Sequence, residues 1–327
     1  MLIPATSDHI RLAAAALRQG ELVALPTETV YGLGADASNR EAVAKIFRAK
    51  GRPANHPLIV HLAETAQWTH WAREIPDAAW RVAEKFWPGP LTVILPKHPQ
   101  VPDEVTGGQA TIALRIPAHP IALQLLQAFG GGIAAPSANR FGHVSPTRAE
   151  HVVEELGARV AYILDGGPCA VGVESTILDL SGDPPALLRP GRITRAQIEA
   201  VLRCRVALKP QRAVRAPGML AAHYAPQTPA WLCDGATLAA HCARLREQGK
   251  TVGLVTCGMS HRVAQVAIVH ALPRDPQHYE AALYHTLRLV DQQALDVIVV
   301  ERPPDDEAWA AVNDRLSKAT VAELGDS

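Results

Sequence analysis

Aromatic residues are scarce, with four Phe, five Tyr and six Trp making up 5% of 327 residues. Proteins that read single-stranded nucleic acid stack bases on such rings, so the platforms for that mode are few. Net charge is lacking too, because 32 Lys and Arg balance 32 Asp and Glu. No global basic field is available to recruit a phosphate backbone. The five cysteines, Cys169, Cys204, Cys233, Cys242 and Cys257, lie far apart, contain no CxxC and are odd in number. That pattern argues against a disulfide framework and a structural zinc site, and it reads as reduced thiols in a cytoplasm. No uncharged run approaches the roughly 18 apolar residues of a membrane span. The opening MLIPATSDHIR carries Asp8 and Arg11 where a signal peptide needs an apolar stretch. The expectation is a protein that is neither secreted nor membrane-spanning.

Familiar catalytic signatures are also missing. Gly249-Lys250-Thr251 resembles the end of a phosphate loop, but Arg244 stands where the first glycine belongs. Gly32-x-Gly34 follows a strand, yet position 37 is alanine and no helix begins at once, which disfavours a dinucleotide fingerprint. There is no HExxH, GxSxG or metal-spaced His/Cys cluster.

What is present is a chain long enough for about two domains, with helix and strand signals alternating throughout in the manner of an α/β layer fold. Asp8 or Ser7 caps a first helix that runs to Gln19 and stops at Gly20. Glu21 to Pro26, ELVALP, is a buried strand delivering the polar loop Thr27-Glu28-Thr29. Ser38-x-x-Glu41 reads as a capping box for a helix closing at Gly51. Further strands are expected at 58–62, 91–95, 111–116, 133–135, 162–164 and 175–180. Ser145-Pro146 reads as the start of a helix reaching Leu156, and Thr194-x-x-Gln197 as the start of another ending near Leu202. The pattern divides the chain into a first domain over 1–208, a proline-interrupted segment over 209–229, and a smaller α/β domain over 230–327.

The chemistry sits in loops at strand ends: Thr27-Glu28-Thr29, Lys50-Gly51-Arg52, Arg115, Ser137-Ala138-Asn139, Glu174-Ser175-Thr176 and Arg189-Pro190-Gly191. Should these ends share one face of the sheet, four cations meet several hydroxyls, a combination suited to an anion with many oxygens. Nucleotidyl transfer needs such positioning and neutralisation, and no covalent nucleophile. Taken singly, each loop has an ordinary structural reading. Ser and Thr near strand ends serve as turn or cap residues, Lys50 can answer a helix dipole, and His61 alternates with core positions. Composition and spacing stop at an anion-binding α/β protein of enzyme type.

The strings themselves say more. PTETVYGLG (26–34), KGRP with HPLIVH (50–61), WPGPLT (87–92), RIPAHPIA (115–122), APSAN (135–139), SPT (145–147), GVESTI (172–177) and LLRPG (187–191) resemble, in order, the YrdC/Sua5 family over about the first 200 residues. APGMLAAHYAP (216–226) resembles the linker of its two-domain Sua5 branch. The resemblance implies a twisted, open mixed sheet with flanking helices and a second, Rossmann-like domain. It implies L-threonylcarbamoyladenylate synthesis from L-threonine, bicarbonate (or carbon dioxide) and ATP, with pyrophosphate released. Mg²⁺ would arrive with ATP. The product would feed N6-threonylcarbamoylation of adenosine 37 of tRNA, with tRNA and the threonylcarbamoyl transferase machinery as downstream partners.

Carried over by position, L-threonine falls to Thr29, His61, Arg115, the Ala135 backbone and Ser175. ATP falls to Lys50, Arg52, His56, Thr111, Ser137, Asn139, Ser145, Arg189 and Tyr224. Lys50 and Arg52 are the expected catalytic pair, and no protein metal site is expected. His56 departs from the family pattern, in which asparagine is common before Pro-Leu. Tyr224 would lie over the adenylate as part of a lid. The competing expectation is a noncatalytic RNA-binding maturation factor, which the neutral charge and few aromatics weaken.

Overall fold

Short apolar runs bounded by Pro and Gly become strands in two separate sheets. The structure, a computed structural model, describes residues 1–208, 214–219, 223–258 and 266–321. The chain divides into two compact units, one of residues 1–141 and 145–219, the other of residues 142–144 and 220–327. Residues 214–219 of the proline-rich segment thus belong to the first unit, and the expected second-domain elements to the second. Among the described residues no helix is long and apolar enough to cross a membrane.

In the first unit, β1 (Leu2–Pro4), β2 (Val23–Leu25), β3 (Gly32–Asp36), β4 (Ile59–His61), β5 (Leu91–Pro96), β6 (Thr111–Arg115), β7 (Ile133–Ala134), β8 (Tyr162–Asp165), β9 (Thr176–Asp179) and β10 (Ala186–Arg189) form one mixed sheet. Its order is β1-β8-β2-β3-β7-β4-β6-β5-β9-β10. One face carries Leu33, Val60, Val93, Leu114 and Leu178 into the main core, with helices Arg40–Lys50, Asp77–Phe86 and Arg195–Leu202 supplying the other side. On the opposite face, helices Ser7–Arg18 and Pro120–Phe129 cover Val23, Leu25 and Ile133. The β4-β6-β5-β9 part of that second face carries a smaller apolar cluster, Ile59, Ile94, Ala113 and Ile177, closed by Val214 and Ala216 of the proline-rich segment.

Three strands, β1, β3 and β10, have no counterpart in the periodicity. β3 is GLGAD, and glycine is depleted in strands. The reason lies in its neighbours: a Cβ on Gly34 would sit 2.9 Å from Ile133 Cγ2 and 3.0 Å from both Leu25 Cδ2 and Val23 O. Three helix starts also differ from expectation. The first helix is capped by Thr6, whose hydroxyl accepts from His9 N. The helix Arg40–Lys50 is capped by Asn39, which accepts from Glu41 N and Ala42 N, while Ser38 bonds Asp36 instead. Ser145 caps nothing, since the helix it precedes begins at Ala149; its hydroxyl is drawn to Glu174. The capping box at Thr194 forms as read.

The second unit has a parallel sheet of β11 (Ala230–Cys233), β12 (Val252–Cys257), β13 (Ile268–Leu272) and β14 (Val297–Glu301), in the order β11-β14-β12-β13. Its own core gathers Cys233, Leu238, Cys242, Leu245, Val252, Leu254, Val297 and Val299.

Candidate active site

Strand parity places the site. Side chains alternate between faces with a period of two, so the residues that share a face with Ile59, Ala113, Ile94 and Ile177 are His61, Arg115, Thr92 and Ser175. The intervening Val60, Leu114, Val93 and Leu178 point into the main core. β4 and β6 are parallel with His61 opposite Arg115, and β5 and β9 are parallel with Leu91 opposite Thr176. Arg189 reaches the same face through an irregularity. On β10, Leu187 pairs with Leu178 but Arg189 pairs with Ile177, a register shift that moves Arg189 off the core face. Thr111 shares Arg115's face at the far end of β6, roughly 13 Å along the strand, and is half-buried.

At the near end the polar groups interlock. Arg115 Nη1 donates to Thr29 Oγ1 (2.9 Å) and its Nε to Gly89 O (3.2 Å). Thr29 Oγ1 is 2.8 Å from Thr27 Oγ1, which donates to Val30 O at 2.6 Å. Ser175 Oγ lies 2.8 Å from Thr92 Oγ1, and Arg189 donates to Ser175 O (3.0 Å), Ser175 Oγ (3.1 Å) and Pro217 O (3.1 Å). His61 is buried. Desolvation, then the neighbouring Arg115 charge, hold it down to about 3, so it is a neutral imidazole at physiological pH. The Ala135 amide is committed to Ile59 O (2.9 Å), so any ligand contact from Ala135 falls to its carbonyl.

A second group forms where the helix Arg40–Lys50 ends. Gly51 takes the left-handed conformation that stops the helix (φ 64°), and Lys50 turns inward. Its Nζ donates to Ser137 O and Asn139 O, both at 2.5 Å. Burial, and then the Arg52 charge, push this lysine well below the ordinary lysine range. Arg52 donates to Pro57 O (3.0 Å) and lies 6.0 Å from the Phe141 ring centroid. His56 packs edge-on against the same ring at 5.4 Å. Partial burial, with Arg52 and Arg215 nearby, lowers its proton affinity, which favours a neutral ring at this atypical position. Ser145 donates to Glu174 Oε1 at 2.6 Å.

Lys50, Arg52, Arg115 and Arg189 are each at most 8% exposed. Holding this many cations out of water costs several kcal/mol apiece unless they are compensated; Arg115 is met by the Glu28 carboxylate, and Lys50 by the carbonyls of Ser137 and Asn139. Among the described residues no group of three or more His, Cys, Asp or Glu side chains is placed to hold a metal ion. Tyr224 belongs to the second unit, where it is buried beside His223 (ring centroids 4.2 Å apart), Tyr284 (5.9 Å) and the Arg315 guanidinium (5.4 Å). Three more buried polar residues join the first-unit site: Thr92, which sequence reasoning did not single out, and Glu174 and Glu28, which stand in the loops it named but received no role there, the last with its carboxylate 2.7 Å from Arg115 Nη2. All three lie inside the quoted strings. Their roles depend on which residues lie across the sheet, which the sequence does not show before the strands are paired.

Residues 15–191 match the Sua5/YciO/YrdC family model, described as telomere recombination. The chain belongs to the Sua5/YciO/YrdC family. Residues 193–321 match the model of the threonylcarbamoyl-AMP synthase C-terminal domain. A threonylcarbamoyl-AMP synthase of Bacillus subtilis is 45% identical over 96% of this chain and 94% of its own. One from Pyrococcus abyssi is 43% identical over 95% and 94%. A crystal structure of P. abyssi Sua5 complexed with L-threonine superposes with a TM-score of 0.91 at 41% identity, covering 98% of this chain and 97% of that one.

Proposed function

We infer that this protein is a threonylcarbamoyl-AMP synthase, joining L-threonine, bicarbonate (or carbon dioxide) and ATP into L-threonylcarbamoyladenylate with release of pyrophosphate. The observation that carries this reading is the convergence of Thr29, His61, Arg115 and Ser175 on one sheet face, in a chain whose fold follows a threonine-bound relative almost end to end.

The residues divide the work by chemistry. Arg115, held by Gly89 O and Thr29 Oγ1, is the partner for the threonine carboxylate. Neutral His61 and Ser175 supply hydrogen bonds without charge. Lys50 and Arg52 face the triphosphate, which enters as its Mg²⁺ complex, and an anion beside Lys50 offsets the desolvation its ammonium bears. Ser137, Asn139, Ser145, Thr111, His56 and Arg189 complete the nucleotide assignment. Tyr224 is assigned to ATP by the resemblance alone, and a raised KM for ATP in Tyr224→Ala is its test. The carbamate oxygen attacks the α-phosphorus in line with departing pyrophosphate. The floor of Ile59, Ile94, Ala113 and Ile177 limits the water that would hydrolyse both carbamate and mixed anhydride. The product's destination, tRNA and the transferase that modifies it, is part of the same proposal.

The test is pyrophosphate release from MgATP with and without L-threonine and bicarbonate, repeated with Lys50→Ala and Arg52→Ala. Release that needs both co-substrates and is lost in the variants is the expected result. Release indifferent to threonine overturns the reading.

A further inference from the structure

The synthase reading gives Arg115 a task and leaves Glu28 without one. Glu28 is 9% exposed, and both its carboxylate oxygens are closed off from solvent with no hydrogen bond to accept. Arg115 Nη2 is 2.7 Å from Oε1, near enough for an ion pair. The approach is out of line for a hydrogen bond, however, and Nη2 has no acceptor either. His119 and Cys169 are also coupled electrostatically to Glu28. Burial lowers the first and raises the second, so both are uncharged at neutral pH. A buried carboxylate with spare lone pairs thus stands beside a buried guanidinium with a spare donor, a pair complementary to a zwitterion. The loop is braced to hold it there: Val171 N donates to Glu28 O (2.7 Å), Gly172 N to Thr29 O (3.1 Å), and Thr27 Oγ1 accepts from Thr29 N and Val30 N, both at 3.2 Å.

We propose that Glu28 recognises the α-ammonium group of L-threonine and accepts a proton from it, freeing the nitrogen lone pair to attack carbon dioxide. The proposal rests on the synthase reading. The ammonium N–H bond breaks towards Glu28, and bicarbonate releases carbon dioxide and hydroxide. The new N–C bond forms, and the second nitrogen proton combines with hydroxide as water. One threonine zwitterion, one bicarbonate and ionised Glu28 become one threonine carbamate, one water and protonated Glu28. Glu28 then returns its proton to solvent before the next turnover.

The experiment compares L-threonine with 3-hydroxybutanoate, which keeps the carboxylate and hydroxyl and lacks the amine, by calorimetric titration of the wild-type chain, Glu28→Gln and Glu28→Asp. Loss of a buried charged partner predicts that Glu28→Gln binds threonine more weakly by on the order of 10- to 100-fold. Binding of 3-hydroxybutanoate stays the same or tightens, because Arg115 is released from its counter-charge. Glu28→Asp recovers part of the discrimination. At saturating threonine, Glu28→Gln releases pyrophosphate more slowly than wild type. Equal weakening of both ligands, with ATP affinity intact, overturns the proposal in favour of a purely structural ion pair. Unchanged threonine binding overturns it outright, and an unchanged saturated rate overturns the proton transfer. Failure of the synthase reading shows separately, as wild-type pyrophosphate release that does not depend on threonine and bicarbonate.

Discussion

Single buried groups dominate the chemistry of the first unit, and their protonation makes them testable. His61 keeps its ordinary affinity near 6.5 in the unfolded chain but is held to about 3 when folded. The folded protein therefore has full stability from this group above about pH 6.5 and loses it as pH falls towards 3, because the unfolded chain takes up a proton that the folded one refuses. Between pH 7 and 5 the loss from this group is about 2 kcal/mol. Urea unfolding at both pH values, compared with His61→Gln, measures it as a fall in stability that the variant lacks. Lys50 makes a complementary prediction. Lys50→Met keeps much of the apolar stem but removes the charge, and should slow pyrophosphate release by on the order of 10²- to 10³-fold, with far-ultraviolet circular dichroism unchanged. Lys50, Arg52, Arg115, Ser175 and Arg189 were legible as chemical residues because they sit in short polar strings between apolar runs. Glu28 sits in such a string as well, but its role was not legible, because it comes from Arg115, a residue 87 positions away whose proximity only strand pairing reveals.

At the scale of elements, strands and caps were legible where local chemistry decided them. The apolar runs 58–62, 91–95 and 111–116 match β4, β5 and β6 to within one residue at each end, and the Thr194 box closes as its spacing requires. β3 was not legible, because its glycines answer to three packed neighbours and not to any local preference. Gly34→Ala should destabilise by roughly 1–3 kcal/mol through overpacking, read from the urea midpoint. Asn39 displaced the expected Ser38 as cap because Asp36 claims the serine. Asn39→Ala should cost about 1 kcal/mol, and Ser38→Ala much less by the same measurement. The shift at Leu187–Arg189 was equally hidden, since a bulge depends on its partner strand.

For the molecule as a whole, balanced charge and a local cationic site make opposite demands on salt. On the synthase reading, a chain with 32 residues of each sign should lose less than about threefold in turnover between 50 and 200 mM salt. Binding through many backbone phosphates falls by about 10³ or more over that range. A steep loss would return RNA binding to consideration. The run of prolines after residue 208 interrupts both periodicities, but neither the division after Met219 nor the membership of residues 142–144 in the second unit leaves a trace in local pattern. The alternation along β4, β5, β6 and β9 also bears on how such a gene can change. One codon deleted inside β6 would carry Arg115 into the hydrocarbon interior and turn Leu114 towards the candidate site, so the site and foldability would vanish in one event. Point substitutions can retune this face of the sheet, but changes in chain length should survive selection only in the connections between strands.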